Sequence, residues 1–287
     1  MKTIILLTLL SLALLPAMVR AEGNDNEKAT MARMAQEHQH DAPKPTQAAT
    51  TEPARPVSAE EVTYGNLGGK PLRGYLAKPK DAKEALPGIL VIHEWWGLND
   101  NIRAMTRRLA GEGYTALAVD LYGGQVATTP DKAMEMVNAT MKDRSSGEQN
   151  LWNAYNFLEM QQKAPKIGVI GWCFGGGWSL GTALLLPDKI DATVIYYGHL
   201  ETDKDKLATL KMPVLGFFGG QDKSIPVDSV RQFEKTLKEL GKSVEVHVYD
   251  DANHAFANAS GGSYNPKAAE DAWKRTTAFF HQHLQGK

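Results

Sequence analysis

Apolar and polar positions follow two alternating patterns along residues 59–287. Short, nearly continuous apolar runs are typical of parallel strands that are buried on both faces. Two runs near the start of this span, residues 62–64 and 72–78, predict an opening hairpin. The later runs predict strands at residues 88–92, 116–119, 167–170, 192–197, 214–218 and 244–249.

The segments between these runs carry apolar residues every three or four positions and predict amphipathic helices. One helix should begin at Asn99 or Asp100, a second should end at Gly241, and polar helical sequence covers residues 131–162. The apolar faces of the two bounded helices are Ile102, Met105 and Leu109, and Val230, Phe233, Leu237 and Leu240. This order predicts one α/β domain over residues 59–287, with a mostly parallel sheet and helices on both faces. Ligands of such folds bind at the carboxyl ends of the strands.

The first 21 residues have a different pattern. A basic start at Lys2 precedes an apolar stretch over residues 4–18, and Val19 and Ala21 are small or short side chains near a possible cleavage point. The apolar stretch is shorter than a membrane span needs, so residues 1–21 are predicted to be a signal peptide. The protein is therefore expected to be secreted or periplasmic, without a membrane anchor after cleavage.

Residues 22–58 are rich in Ala, Glu, Gln, Thr and Pro and have few large apolar side chains. Such a composition cannot bury enough surface to offset its ordering entropy, which predicts a flexible linker. His38 and His40 lie beside Glu37 and Asp41 and could bind a metal weakly. A solvated linker is the favoured interpretation, because a structural site needs several fixed ligands.

Composition restricts the function classes. The chain has 32 Lys and Arg against 33 Asp and Glu, and no basic stripe that would indicate a nucleic-acid partner. Its single cysteine cannot form a disulfide within the chain, so a large core must hold the fold together. These features leave the oligomeric state open and favour a small-molecule substrate.

That cysteine, Cys173, follows the apolar run 167–170 in the sequence Gly171-Trp172-Cys173-Phe174-Gly175. The spacing matches the G-x-S-x-G nucleophile elbow, in which glycines allow a sharp turn between a strand and a helix. Sulfur stands where a serine hydrolase has its hydroxyl. The alternative is a buried structural cysteine, since free cysteines are often buried.

A cysteine nucleophile needs a base and a group that orients the base. Asp222 follows the apolar run 214–218, and His254 follows the run 244–249. The order nucleophile, acid, histidine is that of α/β-hydrolases. Asp250 and Asp251 are rival acids, but their position close to His254 in the sequence is typical of turn residues.

Four separated motifs resemble the dienelactone hydrolase family of α/β-hydrolases, and the likeness extends over residues 59–285. They are His93-Glu94-Trp95-Trp96-Gly97-Leu98-Asn99, Gly171-Trp172-Cys173-Phe174-Gly175-Gly176, Gly219-Gly220-Gln221-Asp222 and Asn253-His254-Ala255-Phe256. The resemblance implies a triad of Cys173, Asp222 and His254. It also implies that Glu94 contacts the resting thiol and helps to control its ionisation.

Charge arguments agree with these roles. A carboxylate at Glu94 would oppose thiolate formation, whereas His254 and the helix start after Cys173 would promote it. The alternative for Glu94 is a solvated residue at a strand end. The backbone N–H groups of Trp95 and Phe174 are the expected oxyanion donors. The side chains of Trp95 and Trp96 could belong either to the core or to a pocket wall.

One position departs from the family pattern. The namesake enzymes bind a substrate carboxylate with arginines, one of them four positions after the catalytic histidine, where this chain has Asn258. The loop at residues 123–125, expected to carry the other, has no nearby arginine. The expected activity is hydrolysis of a small ester or lactone through an acyl-cysteine, without a metal or organic cofactor. A thioesterase, an acyltransferase and a non-catalytic binding module are the alternatives.

Overall fold

A computed structural model describes residues 29–36, 38–39, 43 and 52–286. The predicted signal peptide, residues 1–21, and His40 lie outside the described residues. Among the helices that are described, none is long and apolar enough to cross a lipid bilayer.

Eight strands of the described chain form one sheet with the order β1-β2-β4-β3-β5-β6-β7-β8. The strands are β1 (Val57–Leu67), β2 (Lys70–Pro79), β3 (Gly88–Ile92), β4 (Thr115–Val119), β5 (Ile167–Trp172), β6 (Ala192–Tyr196), β7 (Val214–Gly219) and β8 (Val244–Tyr249). The hairpin of β1 and β2 joins β4 in antiparallel fashion, and all other neighbours are parallel. The predicted mostly parallel sheet is confirmed.

Helices connect the parallel strands and cover the sheet. They are α1 (29–36), α2 (Asp100–Gly111), α3 (Pro130–Lys142), α4 (Arg144–Asn156), α5 (Phe174–Leu185), α6 (Lys204–Ala208), α7 (Val227–Glu239) and α8 (Pro266–Phe280). π-Helical turns extend α4 over Phe157–Gln161 and α8 over His281–Gln285. The architecture is that of an α/β-hydrolase.

The predicted periodicities have clear structural counterparts. Every residue of β3, β4, β5, β6 and β7 is buried, as expected for strands covered on both faces. Helix α2 begins after Asn99, whose Oδ1 accepts a hydrogen bond from the N–H of Ile102 at 3.2 Å. This confirms one of the two caps proposed from the sequence.

The polar helical stretch at residues 131–162 is two helices rather than one. Asp143 ends α3 and caps α4, because its Oδ1 accepts from the N–H of Ser146 at 3.3 Å. An acceptor side chain at this position competes with a continuous helix and caps the start of the next one.

The described part of residues 22–58 departs from the predicted flexible linker. Residues 29–36 form a helix, and Thr30, Met31, Met34 and His38 are buried. Their spacing places them on one helical face. The overall composition of the segment does not reveal this periodicity. Strand β1 also begins inside this segment, at Val57.

Candidate active site

Cys173 lies in a sharp turn between β5 and α5, at the carboxyl edge of the sheet. Its backbone has φ 57° and ψ −119°, a conformation that costs energy for a residue with a side chain. A Cβ on Gly171 would overlap the carbonyl oxygen of Gly175, so the turn requires glycine there. The Cys173 N–H donates to the carbonyl oxygen of Tyr196 at 3.0 Å. This is the strained geometry of a nucleophile elbow.

Asp222 and His254 meet as predicted from their positions after β7 and β8. His254 Nδ1 lies 2.7 Å from Asp222 Oδ2, and both side chains are buried. The other carboxylate oxygen accepts from the N–H groups of Ser224 and Ile225 at 2.8 and 2.9 Å. Asp222 is thereby held in place and fixes the proton on Nδ1, which leaves Nε2 available for proton transfer.

The surroundings of His254 favour its protonated form. Burial alone would lower the pKa of the imidazole. The negative charges of Asp222 and of a Cys173 thiolate outweigh it and raise the pKa well above the usual value for histidine. An imidazolium beside the sulfur stabilises a thiolate, which is the reactive form of cysteine.

The rival acids are excluded as partners of His254 by position. Asp250 and Asp251 are exposed at the end of β8, whereas the His254 ring is buried. They are turn residues, in agreement with the favoured interpretation.

Glu94 is also buried at this sheet edge, which excludes a solvated strand-end residue. Its Oε2 accepts a hydrogen bond from Asn258 Nδ2 at 2.7 Å. The Asn258 Oδ1 in turn accepts from Asn101 Nδ2 at 3.0 Å and from the N–H of Ser260 at 2.8 Å. Asn258, at the position where the resemblance implies an arginine, therefore orients the carboxylate of Glu94.

His93 holds the loop that carries Glu94 and Trp95. Its Nδ1 donates to the carbonyl oxygen of Glu94 at 2.6 Å, and its Nε2 accepts from the N–H of Leu121 at 3.2 Å. Burial lowers the pKa of this fully enclosed histidine, so the neutral ring can perform both functions. Sequence reasoning saw His93 only as part of a motif and missed this role.

The predicted oxyanion donors lie on two rigid elements. Phe174 is the first residue of α5, where a helix leaves its N–H without an intrahelical partner. Trp95 follows Glu94 in the loop held by His93. The rings of Trp95 and Trp96 are buried with centroids 4.8 Å apart, so core packing describes both side chains.

Two tyrosines near the thiol were missed by sequence reasoning. Tyr122 and Tyr197 are buried, and neither hydroxyl has a hydrogen-bond partner within the described part of the chain. Burial raises their pKa values well above the usual range, with Cys173 adding to the effect in both cases. They are neutral donors beside the nucleophile. Their positions in the loops that follow β4 and β6 were the available signal.

Helix α1 covers the site. The Cys173 thiol lies 2.9 Å from the Met34 thioether, measured between Sγ and Sδ, and Met34 is buried. The ring centroids of His38 and His254 are 5.5 Å apart. His38 thus faces the active site, and no group of three or more potential metal ligands exists in the described ranges.

A cavity of about 340 Å³ lies between α2, α8 and the loop after His254. Glu94, Asn101 and Asn258 form its polar wall, and aromatic residues form much of the remainder. Arg108 also lines it, with its guanidinium 4.0 Å from the centroid of the Trp273 ring. The Arg108 side chain is half-buried in this position.

Comparison with known proteins agrees with the fold and the site geometry. The model of the dienelactone hydrolase family matches residues 72–284. The chain belongs to this family. "Protein usf" of Aquifex pyrophilus is 37% identical over 223 residues, covering 75% of this chain and 95% of that protein. An Aquifex aeolicus protein described as "Putative carboxymethylenebutenolidase" is 33% identical over 224 residues, covering 76% of this chain and 96% of the relative.

A solved structure from Klebsiella pneumoniae, described as "Putative Dienelactone Hydrolase", has the same fold with a TM-score of 0.72. It is 29% identical and covers 80% of this chain and 100% of its own. Membership of the dienelactone hydrolase family identifies the protein as a carboxylic ester or lactone hydrolase.

Proposed function

We propose that this family member hydrolyses small esters or lactones through an acyl-cysteine intermediate. The observation that carries the proposal is the buried His254–Asp222 pair beside a cysteine in a strained elbow. Cys173 is the nucleophile, His254 moves the proton, and Asp222 orients His254. Each role follows from position and charge in addition to the family resemblance.

The reaction has two stages. The Cys173 thiolate attacks the substrate carbonyl carbon, and the tetrahedral intermediate collapses as the bond to the leaving oxygen breaks. His254 donates its proton to that oxygen. A water molecule then gives a proton to His254 and attacks the thioester, and breakage of the sulfur–carbon bond releases the acid and restores the thiolate–imidazolium pair.

The oxyanion that forms in each stage needs preorganised donors. The Trp95 and Phe174 N–H groups are proposed to serve, because they belong to a held loop and to a helix N-terminus. The hydroxyls of Tyr122 and Tyr197 are neutral donors in the same region and are suited to hold the substrate's other oxygen atoms.

Glu94 is proposed to regulate ionisation of the thiol. A negative carboxylate at the same sheet edge opposes the thiolate that His254 favours. The hydrogen bond from Asn258 stabilises the charged carboxylate and sets its direction. Substrate binding that moves Glu94 would then favour the nucleophile.

The proposed substrates are neutral, because the family's arginine position is occupied by Asn258 and its amide is engaged with Glu94. Export after cleavage of the predicted signal peptide, residues 1–21, would place this activity outside the cytoplasm. Sequencing the N-terminus of the mature protein tests whether that cleavage occurs. A panel of neutral and carboxylate-bearing esters, lactones and thioesters tests the substrate class.

Modification of Cys173 by iodoacetamide should abolish turnover, and full turnover by fully alkylated protein would disprove the mechanism.

A further inference from the structure

Helix α1 presents one face to the candidate triad. Met34 is 1% exposed and Met31 is 5% exposed, whereas Ala32, Arg33 and Gln36 on the other face are exposed. Met34 contacts Cys173, and His38, one turn further, contacts His254. An amphipathic helix thus lies with its apolar side on the catalytic residues.

This helix lies outside the part of the chain that matches the family model, residues 72–284. It is therefore an addition to the family domain, and its contacts with Cys173 and His254 are long-range in the sequence. A feature of this chain rather than of the common fold covers the thiol.

The contact has a steric consequence. A sulfur nucleophile attacks a carbonyl carbon from roughly 3–3.5 Å in a reactive complex. Met34 Sδ lies 2.9 Å from Cys173 Sγ and stands in that space. Substrate and the Met34 side chain exclude each other if the substrate approaches from the covered side.

We propose that α1 is an internal occupant of the active site and competes with substrate for the space above Cys173. The inference rests on the proposed role of Cys173 as nucleophile. Met34 is an unbranched and uncharged side chain, so the occupied position accepts a slender neutral group. The active form is the one from which α1 has withdrawn.

Such competition lowers apparent affinity in proportion to the fraction of open protein, without changing the chemistry that follows binding. Burial of a methionine side chain favours the covered form by about tenfold or more. Weakening this contact should therefore lower KM about tenfold and leave kcat nearly unchanged.

The test compares Met34→Glu with Ala32→Glu in the full chain. Both variants add one negative charge to α1, but only at position 34 would the covered form bury that charge, so Met34→Glu favours the form from which α1 has withdrawn. Iodoacetamide should modify Cys173 about tenfold faster in Met34→Glu than in the wild type, and Ala32→Glu should match the wild type. With a neutral p-nitrophenyl ester, only Met34→Glu should show the lower KM.

Equal alkylation rates in all three proteins would overturn the inference, because α1 would then leave the thiol uncovered. Faster alkylation with reduced turnover would also overturn it, since α1 would then be part of the catalytic surface. If Met34→Glu lowers Tm strongly, Met34→Ser gives the same comparison with a smaller change. Failure of the proposed function is separate, because it appears as full turnover by alkylated wild type.

Discussion

One histidine–carboxylate pair lies within β8 and another joins the loops that follow β7 and β8, and the two pairs differ mainly in burial. His254 Nδ1 and Asp222 Oδ2 are 2.7 Å apart, with side chains 3% and 0% exposed. His247 Nε2 and Glu245 Oε1 are 2.5 Å apart, with side chains 23% and 56% exposed. The same chemical groups in similar contact therefore lie in very different surroundings.

The difference shows that contact alone does not make a catalytic pair. Water screens the charges of the exposed pair, so its interaction is worth little. Around His254, water is excluded and Asp222 is held by two backbone N–H groups. A fixed charge in such surroundings can set the protonation of its partner.

The largest expected effect comes from Asp222→Asn. The amide preserves the shape of the side chain but removes the negative charge that orients His254 and raises its pKa. The value of kcat/KM should therefore fall by about two to four powers of ten. Steady-state kinetics on the best neutral ester measure this. Glu245→Gln is the matched control and should retain wild-type kcat/KM. Equal losses in both variants would show that burial does not separate the two pairs.

A smaller change is expected for substrate choice at Asn258→Arg. A bidentate bond to a carboxylate contributes roughly 1.5–3 kcal/mol, which corresponds to about one to two powers of ten. The ratio of kcat/KM for a carboxylate-bearing lactone to that for its neutral analogue should rise accordingly. The new side chain would also pair with Glu94 and replace the hydrogen bond that Asn258 donates to it. Asn258→Gln is the control, because it changes the same hydrogen bond without adding a charge.

A wild-type ratio far above one, unaffected by Asn258→Arg, would contradict this interpretation. Another cation would then bind the substrate carboxylate. Arg108, which lines the adjoining cavity, is the residue to substitute next.

The buried pair should also make stability depend on pH. Because the pKa of His254 is raised in the folded protein, its stabilising contribution is complete below the unfolded pKa of about 6.5. The contribution is lost as pH rises through the folded pKa. The difference in Tm between wild type and Asp222→Asn should therefore be largest below about pH 6.5 and decrease at higher pH. A difference in Tm between the two proteins that stays constant from below about pH 6.5 to higher pH would contradict the raised pKa of His254.

The smallest effect is expected for the exposed pair. Glu245→Gln should change the free energy of unfolding by less than about 0.5 kcal/mol, because surface ion pairs contribute little and are screened by salt. Urea denaturation at low and high salt measures it. A loss of several kcal/mol would show that exposure does not weaken this pair.

The amino-acid sequence alone was sufficient to predict the parallel sheet, the elbow at Cys173 and the meeting of Asp222 with His254. These features depend on local patterns, since apolar runs form strands and the carboxyl ends of parallel strands share one edge. The start of α2 at Asn99 or Asp100 was predictable for the same reason, and the structure selects Asn99 as the cap. Contacts between distant segments depend on side-chain directions that no local pattern contains.

Tertiary structure decided the partners of residues far apart in sequence. Asn258 was identified as a missing clamp, and only the fold shows that its amide holds Glu94. The sequence shows His93 only as part of a motif, and only the fold shows that its two ring nitrogens join separate loops. Met34 lay in a segment whose average composition indicates a linker, yet packing places its sulfur on Cys173. Local periodicity determines the elements, whereas burial and long-range packing determine which polar groups meet and how strongly they interact.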